Sequence, residues 1–393
     1  MVIDLERARR ETPGCLKKIH FNNAGASLVP QVVLDAVVDH LRLEAEIGGY
    51  EAADKCGEAV ADTYAAVADL IGCSAHEIAL VENASRAWGM AFYGLKFKPG
   101  DRILTGRAEY SSNYIAFLQV ARRTGALIEV IPCDESGQTS PSSLAEMIDD
   151  RVKLVALTHV PTNGGLVNPA AEVGRITRAA GVPFLLDACQ SVGQMPVLVE
   201  ETGCDMLSVT GRKYLRAPRG TGFLYVREGF FDQLEPPLLD NHAASWTAKD
   251  QYELRKDARR FETWEGNVAA KIGLGRAVRY ASEWGLSNIQ ERVVALADQL
   301  RSGLRAIKGM RVHDLGHSPC GIVSFTMENR TPSEIKSALS AENINISVSE
   351  AVATLLDMEN RGLSAVARAS VHYYNHEDEM TRVLAVLDRF RAG

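Results

Sequence analysis

Several features are missing from this 393-residue sequence, and each absence narrows the choice of protein class. No apolar run approaches the roughly 18 residues that a membrane-spanning helix needs. The N-terminal segment, MVIDLERARRETPGC, is charged and lacks the apolar core of a signal peptide. Internal repeats, low-complexity tracts and long runs of like charge are also absent, so we expect an ordered chain with no membrane partner.

Cysteine is sparse and charge of one sign is not concentrated. The seven cysteines are an odd number and show no CxxC spacing, which argues against a disulfide framework and against a metal site. A formal net charge of -7 gives no electrostatic reason to expect nucleic acid as a partner. We therefore expect reduced thiols, a cytoplasmic location and a small molecule as the ligand.

The length and composition that are present predict a globular protein with two domains. Hydrophobic residues make up 46% and charged residues 24% of the chain, and one hydrophobic core rarely serves 393 residues. A polar stretch at 236–260 interrupts the pattern and suggests a hinge. We expect a large α/β domain at 20–260 and a small domain formed by 1–19 and 261–393.

Short apolar runs alternate with segments of helical spacing, which predicts βαβ units and an α/β fold. Near-continuous apolar strands such as VPFLL indicate a parallel sheet that is covered on both faces, with ligands at the carboxyl ends of its strands. The predicted strands are 78–81, 102–104, 127–131, 154–158, 184–186, 206–209, 321–326 and 367–372. The predicted helices are 32–43, 57–71, 170–180, 269–284, 289–307 and a last one from 377.

Two polar residues stand where apolar strands end. The strand FLL leads into Asp187, and the strand MLSVT leads into Lys213, which follows Arg212. A half-buried lysine beside another cation has a lowered pKa and suits Schiff-base chemistry with an aldehyde. Taken alone, Asp187 is equally well explained as a helix cap, and Lys213 is better explained as a solvated loop residue.

Seven motifs, spread over about residues 20 to 380, decide between these interpretations. Together they resemble the class V aminotransferase and cysteine desulfurase family. The resemblance implies the fold-type I architecture, with a central, mostly parallel seven-stranded sheet between helices and a smaller C-terminal α/β domain. It also implies pyridoxal 5'-phosphate as cofactor and a homodimer. The motifs are NNAG at 22–25, ENAS at 82–85, HVPTN at 159–163, DACQ at 187–190, TGRK at 210–213, RFE at 260–262 and RASVH at 368–372.

The resemblance assigns four residues to the cofactor's ring and aldehyde. Lys213 would form the internal aldimine and move the α-proton of the substrate. Asp187 would pair with the pyridine nitrogen, and Gln190 would bond the phenolic oxygen. Tyr110 stands where many relatives carry a stacking histidine; it can stack, but it is no acid of comparable pKa. A tyrosine of the core is the alternative.

The phosphate is expected at the start of a helix that follows strand 78–81. Ala84 and Ser85 would supply amide and hydroxyl donors there, and Thr210 and Arg212 would complete the phosphate site. An ordinary Asn/Ser helix cap is the other explanation of that segment.

Substrate binding is expected to centre on Arg368, whose planar guanidinium suits two-point binding of a carboxylate. A surface ion pair is the alternative. Asn163 and Asn23 are further candidates, although the family's asparagine aligns nearer Thr162. Trp264 and Glu265 replace residues that in relatives reach the neighbouring subunit's phosphate. The sequence therefore does not decide whether this segment contacts the neighbouring subunit's phosphate. Trp264 either narrows the pocket or packs in a core or an interface.

The reaction is the least determined point. Segment 346–367 contains no cysteine, which disfavours the persulfide route of family desulfurases. We expect an enzyme that acts on a small L-α-amino acid through an external aldimine and a quinonoid, as a desulfurase-like C–S or C–Se lyase. A class V aminotransferase or an epimerase remains the alternative. No basic helix-turn-helix precedes the domain, so a non-catalytic cofactor-binding module is less favoured.

Overall fold

The computed structural model describes residues 3–392, which form two β-sheets, two short strand pairs and the helices that cover them. The strands are β1 (Ile19–His20), β2 (Ile78–Val81), β3 (Arg102–Thr105), β4 (Leu127–Val130), β5 (Val152–Thr158), β6 (Phe184–Asp187), β7 (Met206–Thr210), β8 (Gly222–Val226), β9 (Ala244–Ala248), β10 (Gln251–Leu254), β11 (Met310–Val312), β12 (Ile322–Met327), β13 (Ile344–Asn345), β14 (Ser347–Glu350) and β15 (Ala365–Ser370). The helices are α1 (Leu5–Arg10), α2 (Gln31–Ile47), α3 (Gly49–Lys55), α4 (Gly57–Ile71), α5 (Ala84–Phe92), α6 (Ser111–Thr124), α7 (Pro141–Met147), α8 (Ala170–Ala180), α9 (Val199–Thr202), α10 (Val268–Trp284), α11 (Leu286–Ala306), α12 (Pro332–Ala341), α13 (Leu355–Asn360) and α14 (Glu377–Ala392).

The larger sheet has seven strands in the order β2-β8-β7-β6-β5-β3-β4. Only β8 among them runs antiparallel to its neighbours, so the sheet is mostly parallel, as expected. Every residue of β6, β7 and β8 is buried, because apolar clusters lie on both faces of the sheet. The carboxyl ends of β5, β6 and β7 therefore meet at one edge, where a ligand can bind.

Close helix packing on this sheet depends on small residues in α10. A Cβ at Gly275 would lie 2.3 Å from Thr63 Oγ1 of α4, and one at Gly273 would lie 2.5 Å from Val37 Cγ2 of α2. Both positions must therefore remain glycine for these three helices to approach so closely. The contact holds the N-terminal helices against the large sheet.

The smaller sheet has the order β11-β12-β15-β14 and is antiparallel. It shares an apolar cluster with α11 and α14, and Ile3, Ala8 and Cys15 belong to the same cluster. The predicted division into 20–260 and the remainder stays a prediction. We propose that the small unit begins within α10, because Leu274 packs in the cluster of the large sheet and Trp284 in that of the small one.

Some elements differ from the sequence-based expectation. Strand β8 was not predicted, and the polar stretch 236–260 contains the hairpin of β9 and β10, in which Trp246 pairs with Tyr252. Almost every residue of this hairpin is exposed, so its two strands show no apolar alternation that the sequence could reveal. In residues 3–392 we find no helix with the length and apolar character of a membrane span.

Candidate active site

A cavity of about 340 Å³ lies at the carboxyl ends of β6 and β7, beside the start of α5. All eight residues that the sequence analysis assigned to the cofactor line it: Ala84, Ser85, Tyr110, Asp187, Gln190, Thr210, Arg212 and Lys213. Eight more residues complete the wall: Glu82, Asn83, Asn113, Thr158, Thr162, Cys189, Arg219 and Gly220. The fold therefore brings together residues that lie up to 138 positions apart, since the wall runs from Glu82 to Gly220.

One end of the cavity carries groups that favour the binding of an anion. The side chain of Asn83 caps α5 by accepting a hydrogen bond from Arg86 N–H, which leaves the amides of Ala84 and Ser85 without helix partners. Gly222 permits this placement, because a Cβ there would lie 2.5 Å from the carbonyl oxygen of Val209 and 3.2 Å from the backbone of Asn83. The N-terminus of α5 and the carboxyl end of β7 therefore border the same end of the cavity.

Arg212 strengthens the positive potential at that end. Its Nη1 donates to Thr210 Oγ1 at 2.9 Å, and no carboxylate among residues 3–392 lies within ion-pair distance of it. Arg219 lines the same cavity and is likewise without a carboxylate partner in the described chain. Two unpaired guanidinium groups and free helix amides form a site complementary to phosphate.

Lys213 follows directly, on the turn after β7. Burial lowers the pKa of its amine, and the positive charges of Arg212 and Arg368 lower it further, while the charges of Cys189 and Asp187 act in the opposite direction. The lysine is partly accessible and lines the cavity. An amine of lowered pKa is neutral to a larger extent at a given pH and is therefore a better nucleophile.

Asp187 is the last residue of β6, and no helix begins beside it; the next one, α9, starts at Val199. Its Oδ1 accepts a hydrogen bond from Cys189 N–H at 2.9 Å, and its Oδ2 accepts one from Asn113 Nδ2 at 2.9 Å. The helix-cap explanation of this residue therefore does not apply. The carboxylate is instead fixed at the wall of the cavity.

Sequence analysis missed Asn113 and its neighbour Glu109. Both are buried, and Asn113 Nδ2 lies 2.8 Å from Glu109 Oε1 as well as touching Asp187. The signal available in the sequence was their spacing of four residues around Tyr110, in the segment that follows predicted strand 102–104. Without coordinates, that spacing did not reveal that the pair reaches β6.

Arg368 lies on β15 and is 7% exposed. Its Nε donates to Ser347 Oγ at 3.0 Å, and its Nη1 donates to the carbonyl oxygen of Thr162 at 3.2 Å and also to the Thr162 hydroxyl. No carboxylate in the described part of the chain lies within ion-pair distance of it, so it is not in a surface ion pair. Burial lowers the pKa of this guanidinium. Arg368 contacts the wall of the cavity through its hydrogen bonds to Thr162.

The two asparagines proposed for the substrate lie elsewhere. Asn163 donates to Thr354 Oγ1 at 3.1 Å, and Asn23 donates to the carbonyl oxygen of Ser370 at 2.7 Å. Neither lines the cavity, whereas Thr162 does. Their amides are used to hold backbone and side-chain segments together, so we transfer the proposed substrate-side role from Asn163 to Thr162 and give Asn23 a supporting one.

Arg216 connects the lysine turn to the small sheet. It has a φ of 60°, unusual for a residue with a side chain, and its guanidinium is buried. It donates to Thr12 Oγ1, to the Tyr373 hydroxyl and to the carbonyl oxygen of Leu28. Its guanidinium carbon also lies 4.5 Å from the centre of the Tyr374 ring. The backbone three residues after Lys213 is thereby anchored.

Trp264 neither lines the cavity nor packs in a core, since its side chain is 57% exposed. Next to it, Glu262 is buried and accepts hydrogen bonds from Tyr64 Oη and from Leu80 N–H. The motif RFE therefore anchors this segment beside β2. Trp264 is left at the surface.

The fold and the cavity define a class: a fold-type I α/β enzyme with a lysine and a carboxylate at neighbouring strand ends. Comparison with known proteins makes this specific. The family described as "Aminotransferase class-V" matches residues 19–383. A probable cysteine desulfurase of Pyrococcus abyssi is 30% identical over 392 residues, covering 98% of this chain and 96% of that protein.

Solved structures agree. The apo structure of the cysteine desulfurase from Thermococcus onnurineus NA1 has a TM-score of 0.93 at 30% identity, covering 100% of this chain and 99% of that one. The cystine C–S lyase C-DES has a TM-score of 0.86 at 22% identity, covering 96% and 99%, and this likeness shows the fold alone. The chain belongs to the class V aminotransferase family, and it is a cysteine desulfurase-like, pyridoxal 5'-phosphate-dependent enzyme.

The residues present fit this cofactor. Gln190 donates through Nε2 to the carbonyl oxygen of Ala24, and its Oε1 is buried without a partner among the described residues, as in a site that a ligand completes. The anion site at α5, the carboxylate of Asp187 and the amine of Lys213 offer partners for a phosphate, a ring nitrogen and an aldehyde.

Proposed function

We propose that this enzyme cleaves the Cβ–S or Cβ–Se bond of a small L-α-amino acid without forming a persulfide on one of its own cysteines. One observation carries the proposal: Lys213 and Asp187 share a cavity with Arg368 close by, a buried guanidinium with no carboxylate partner in the described chain. An unpaired buried cation is costly unless a ligand supplies the anion.

The cofactor would be held by residues of the large sheet. Ala84, Ser85, Thr210 and Arg212 would bind its phosphate, Asp187 its ring nitrogen, and Lys213 its aldehyde. When bound, pyridoxal 5'-phosphate supplies a ring that accepts electrons and so stabilises negative charge at the substrate's Cα.

The substrate would be oriented by Arg368 with Thr162. Two guanidinium N–H groups bind a carboxylate in a plane, which fixes the direction of the Cα–H bond. Lys213 Nζ would take the proton from Cα, for which its lowered pKa suits it. Tyr110 lines the same cavity and is 37% exposed.

The absence of a persulfide carrier is argued from the cysteines. The segment 346–367 holds β14, α13 and the start of β15 and contains no cysteine. Cys189 lines the cavity, but burial raises the pKa of its thiol well above the ordinary value, which leaves it a neutral and poor nucleophile. The balanced reaction is then substrate plus water giving pyruvate, ammonium and the leaving group with one added proton: hydrogen sulfide from cysteine, hydrogen selenide from selenocysteine, and cysteine persulfide in solution from cystine.

The test is a product analysis. Holoenzyme incubated with L-cysteine, L-cystine or L-selenocysteine, with no keto acid present, should give pyruvate and ammonium in equal amounts. Alanine with sulfur bound to the protein would instead mean a desulfurase that forms a persulfide and would refute this proposal. Conversion of the cofactor to its amine form would favour the alternative aminotransferase, and loss of optical activity without other products would favour an epimerase.

The covalent link is tested separately. Borohydride should fix the cofactor to wild-type protein, and Lys213→Ala should abolish this fixation while Lys271→Ala, outside the cavity wall, should retain it. Fixation that persists in Lys213→Ala would remove Lys213 from the mechanism. A holoprotein with a visible absorption band but no turnover of any amino acid would be the non-catalytic module considered above.

We also propose that the enzyme is a homodimer. Three aromatic side chains near the hairpin of β9 and β10 are exposed: Trp246 at 82%, Trp264 at 57% and Tyr252 at 55%. Exposed aromatic groups of this kind are enriched in protein interfaces. Sedimentation equilibrium should give twice the chain mass, and Trp246→Glu should lower it; a monomeric wild type would refute the proposal.

A further inference from the structure

A buried carboxyl group that none of these roles uses lies behind Asp187. Glu109, between β3 and α6, is 3% exposed. Its oxygens accept five hydrogen bonds, and the donors are Thr105 Oγ1, Tyr110 N–H, Asn113 Nδ2, Thr158 N–H and Thr158 Oγ1. Five donors suit a carboxylate, which only accepts, better than a carboxylic acid, which must donate once.

Asn113 connects this carboxylate to the cavity. Its Nδ2 lies 2.8 Å from Glu109 Oε1 and 2.9 Å from Asp187 Oδ2, so the two hydrogens of one amide serve two carboxyl groups. The other oxygen of Asp187 accepts Cys189 N–H. If the Asn113 amide turned over, its oxygen would face both carboxylates and repel them. Glu109 therefore fixes which end of Asn113 points at Asp187.

The pKa of Glu109 depends on the same groups that connect it to Asp187. Burial raises the pKa of Glu109 to about 7; the bonds from Thr158 and Asn113 lower it, and the charge of Asp187 raises it. No Lys, Arg or His of residues 3–392 lies within ion-pair distance of Glu109. The titratable groups beyond Asp187 are Lys213 and Cys189, which interact with Asp187 from the far side.

We propose that Glu109 and Asn113 are positioning residues for the cofactor contact of Asp187: Glu109 orients the Asn113 amide, and that amide holds the Asp187 carboxylate in the rotamer that lines the cavity. The proposal rests on the proposed role of Asp187 at the ring nitrogen. An ionised Asp187 keeps the ring protonated, and the ring's positive charge lowers the pKa of the Lys213 nitrogen once it is linked to the cofactor.

The test is the pH titration of the visible absorption band of the bound cofactor, with pyridoxal 5'-phosphate itself as the probe. Glu109→Gln keeps the shape but replaces one carboxylate oxygen by an N–H₂ group among five donors, so the Asn113 amide loses its charged acceptor and is held less firmly. The titration midpoint should rise by on the order of one pH unit. Thr105→Val, which removes one hydroxyl donor and keeps the carboxylate, should fold readily and move the midpoint by less.

Glu379→Gln is the matched control, because Glu379 is also buried and bonds an asparagine, Asn375, but lies in the small unit. It should leave the midpoint where it is in the wild type. A purely structural effect of losing a buried carboxylate would move both variants alike, and that result would overturn the proposal.

A double-mutant cycle distinguishes an effect of Glu109 that passes through the Asn113 amide from a direct electrostatic effect of Glu109 on the titration midpoint. Asn113→Ala should raise the midpoint by itself, and Glu109→Gln added to it should change the midpoint little further. Equal shifts with and without Asn113 would show that Glu109 does not act through this amide and would overturn the proposal. Failure of borohydride to fix any cofactor in the wild type would overturn the proposed function and this inference together, whereas fixation with an unmoved midpoint would overturn this inference alone.

Discussion

Two buried arginines, Arg301 on α11 and Arg368 on β15, carry the same charge in opposite surroundings. Arg301 donates to Asp314 Oδ2 at 2.7 Å and to Asp298 Oδ1 at 2.9 Å, and it also bonds the carbonyl oxygens of Cys320 and Ile322. Arg368 meets only hydroxyl and carbonyl oxygens within the described chain. A paired buried cation belongs to the fold, and an unpaired one beside a cavity awaits an anionic ligand.

The largest effect should come from breaking the paired arginine. Arg301→Met leaves Asp314, whose side chain is 1% exposed, as a buried carboxylate without its cation. We expect the free energy of unfolding to fall by about 3–5 kcal/mol, measured by urea titration. Arg382→Met, at an exposed pair with Glu342, is the control and should cost no more than about 1 kcal/mol. Equal losses would mean that burial does not distinguish the two pairs.

The unpaired arginine should show the reverse pattern. Arg368→Met removes the proposed carboxylate contact, so kcat/KM should fall by about 2–4 kcal/mol in transition-state terms, roughly 30- to 900-fold. The free energy of unfolding should change by less than about 1 kcal/mol, because an uncompensated buried charge disappears together with its hydrogen bonds. If kcat/KM were unchanged and the free energy of unfolding fell strongly, Arg368 would be a structural residue like Arg301.

Thr162 should give a smaller effect through the same contact. Thr162→Val removes the hydroxyl that Arg368 meets and keeps the volume, so we expect kcat/KM to fall by about 0.5–1.5 kcal/mol. Thr162→Ser retains the hydroxyl and should restore most of the activity. If Ser and Val behaved alike, the hydroxyl would have no part in orienting the guanidinium.

The smallest effect concerns the charge of Arg368 on Lys213. That charge helps to lower the pKa of the lysine, so the neutral amine exists at lower pH than it otherwise would. The rate of cofactor incorporation into apoprotein should rise with pH through this pKa. Arg368→Met should shift the profile to higher pH by on the order of half a unit, whereas Arg301→Met should leave it in place. A shift to lower pH would contradict the assigned sign.

Much of the fold was predictable because buried strands and helices have different periods. Predicted strand 78–81 coincides with β2, and predicted helices 57–71 and 170–180 coincide with α4 and α8. Strand β8 escaped because nothing local distinguishes its apolar run, and its antiparallel direction depends on neighbours rather than on its own residues. Short elements such as β14 and α13 carry too few residues to show a period.

The cavity wall was predictable where a motif ends a strand. Asp187, Thr210 and Lys213 all lie at such ends and were identified from the sequence. Thr162 and Asn163 are adjacent, and which of them faces the cavity depends on how the loop turns, which the sequence does not show. Glu109 and Asn113 were not predicted because their role depends on the Asn113 amide, which hydrogen-bonds both Glu109 and Asp187 of β6. Only the structure shows that contact.

The anchoring of Arg216 constrains how the two units can move. Its guanidinium holds Thr12, Leu28 and Tyr373, and the last of these follows Arg368 by five residues. A rigid rotation that opened the cleft would have to uncover this cation and would carry the lysine turn along. Admission of the proposed substrate should therefore depend on local rearrangement of loops around the entrance, with Lys213 and Arg368 kept at a constant separation.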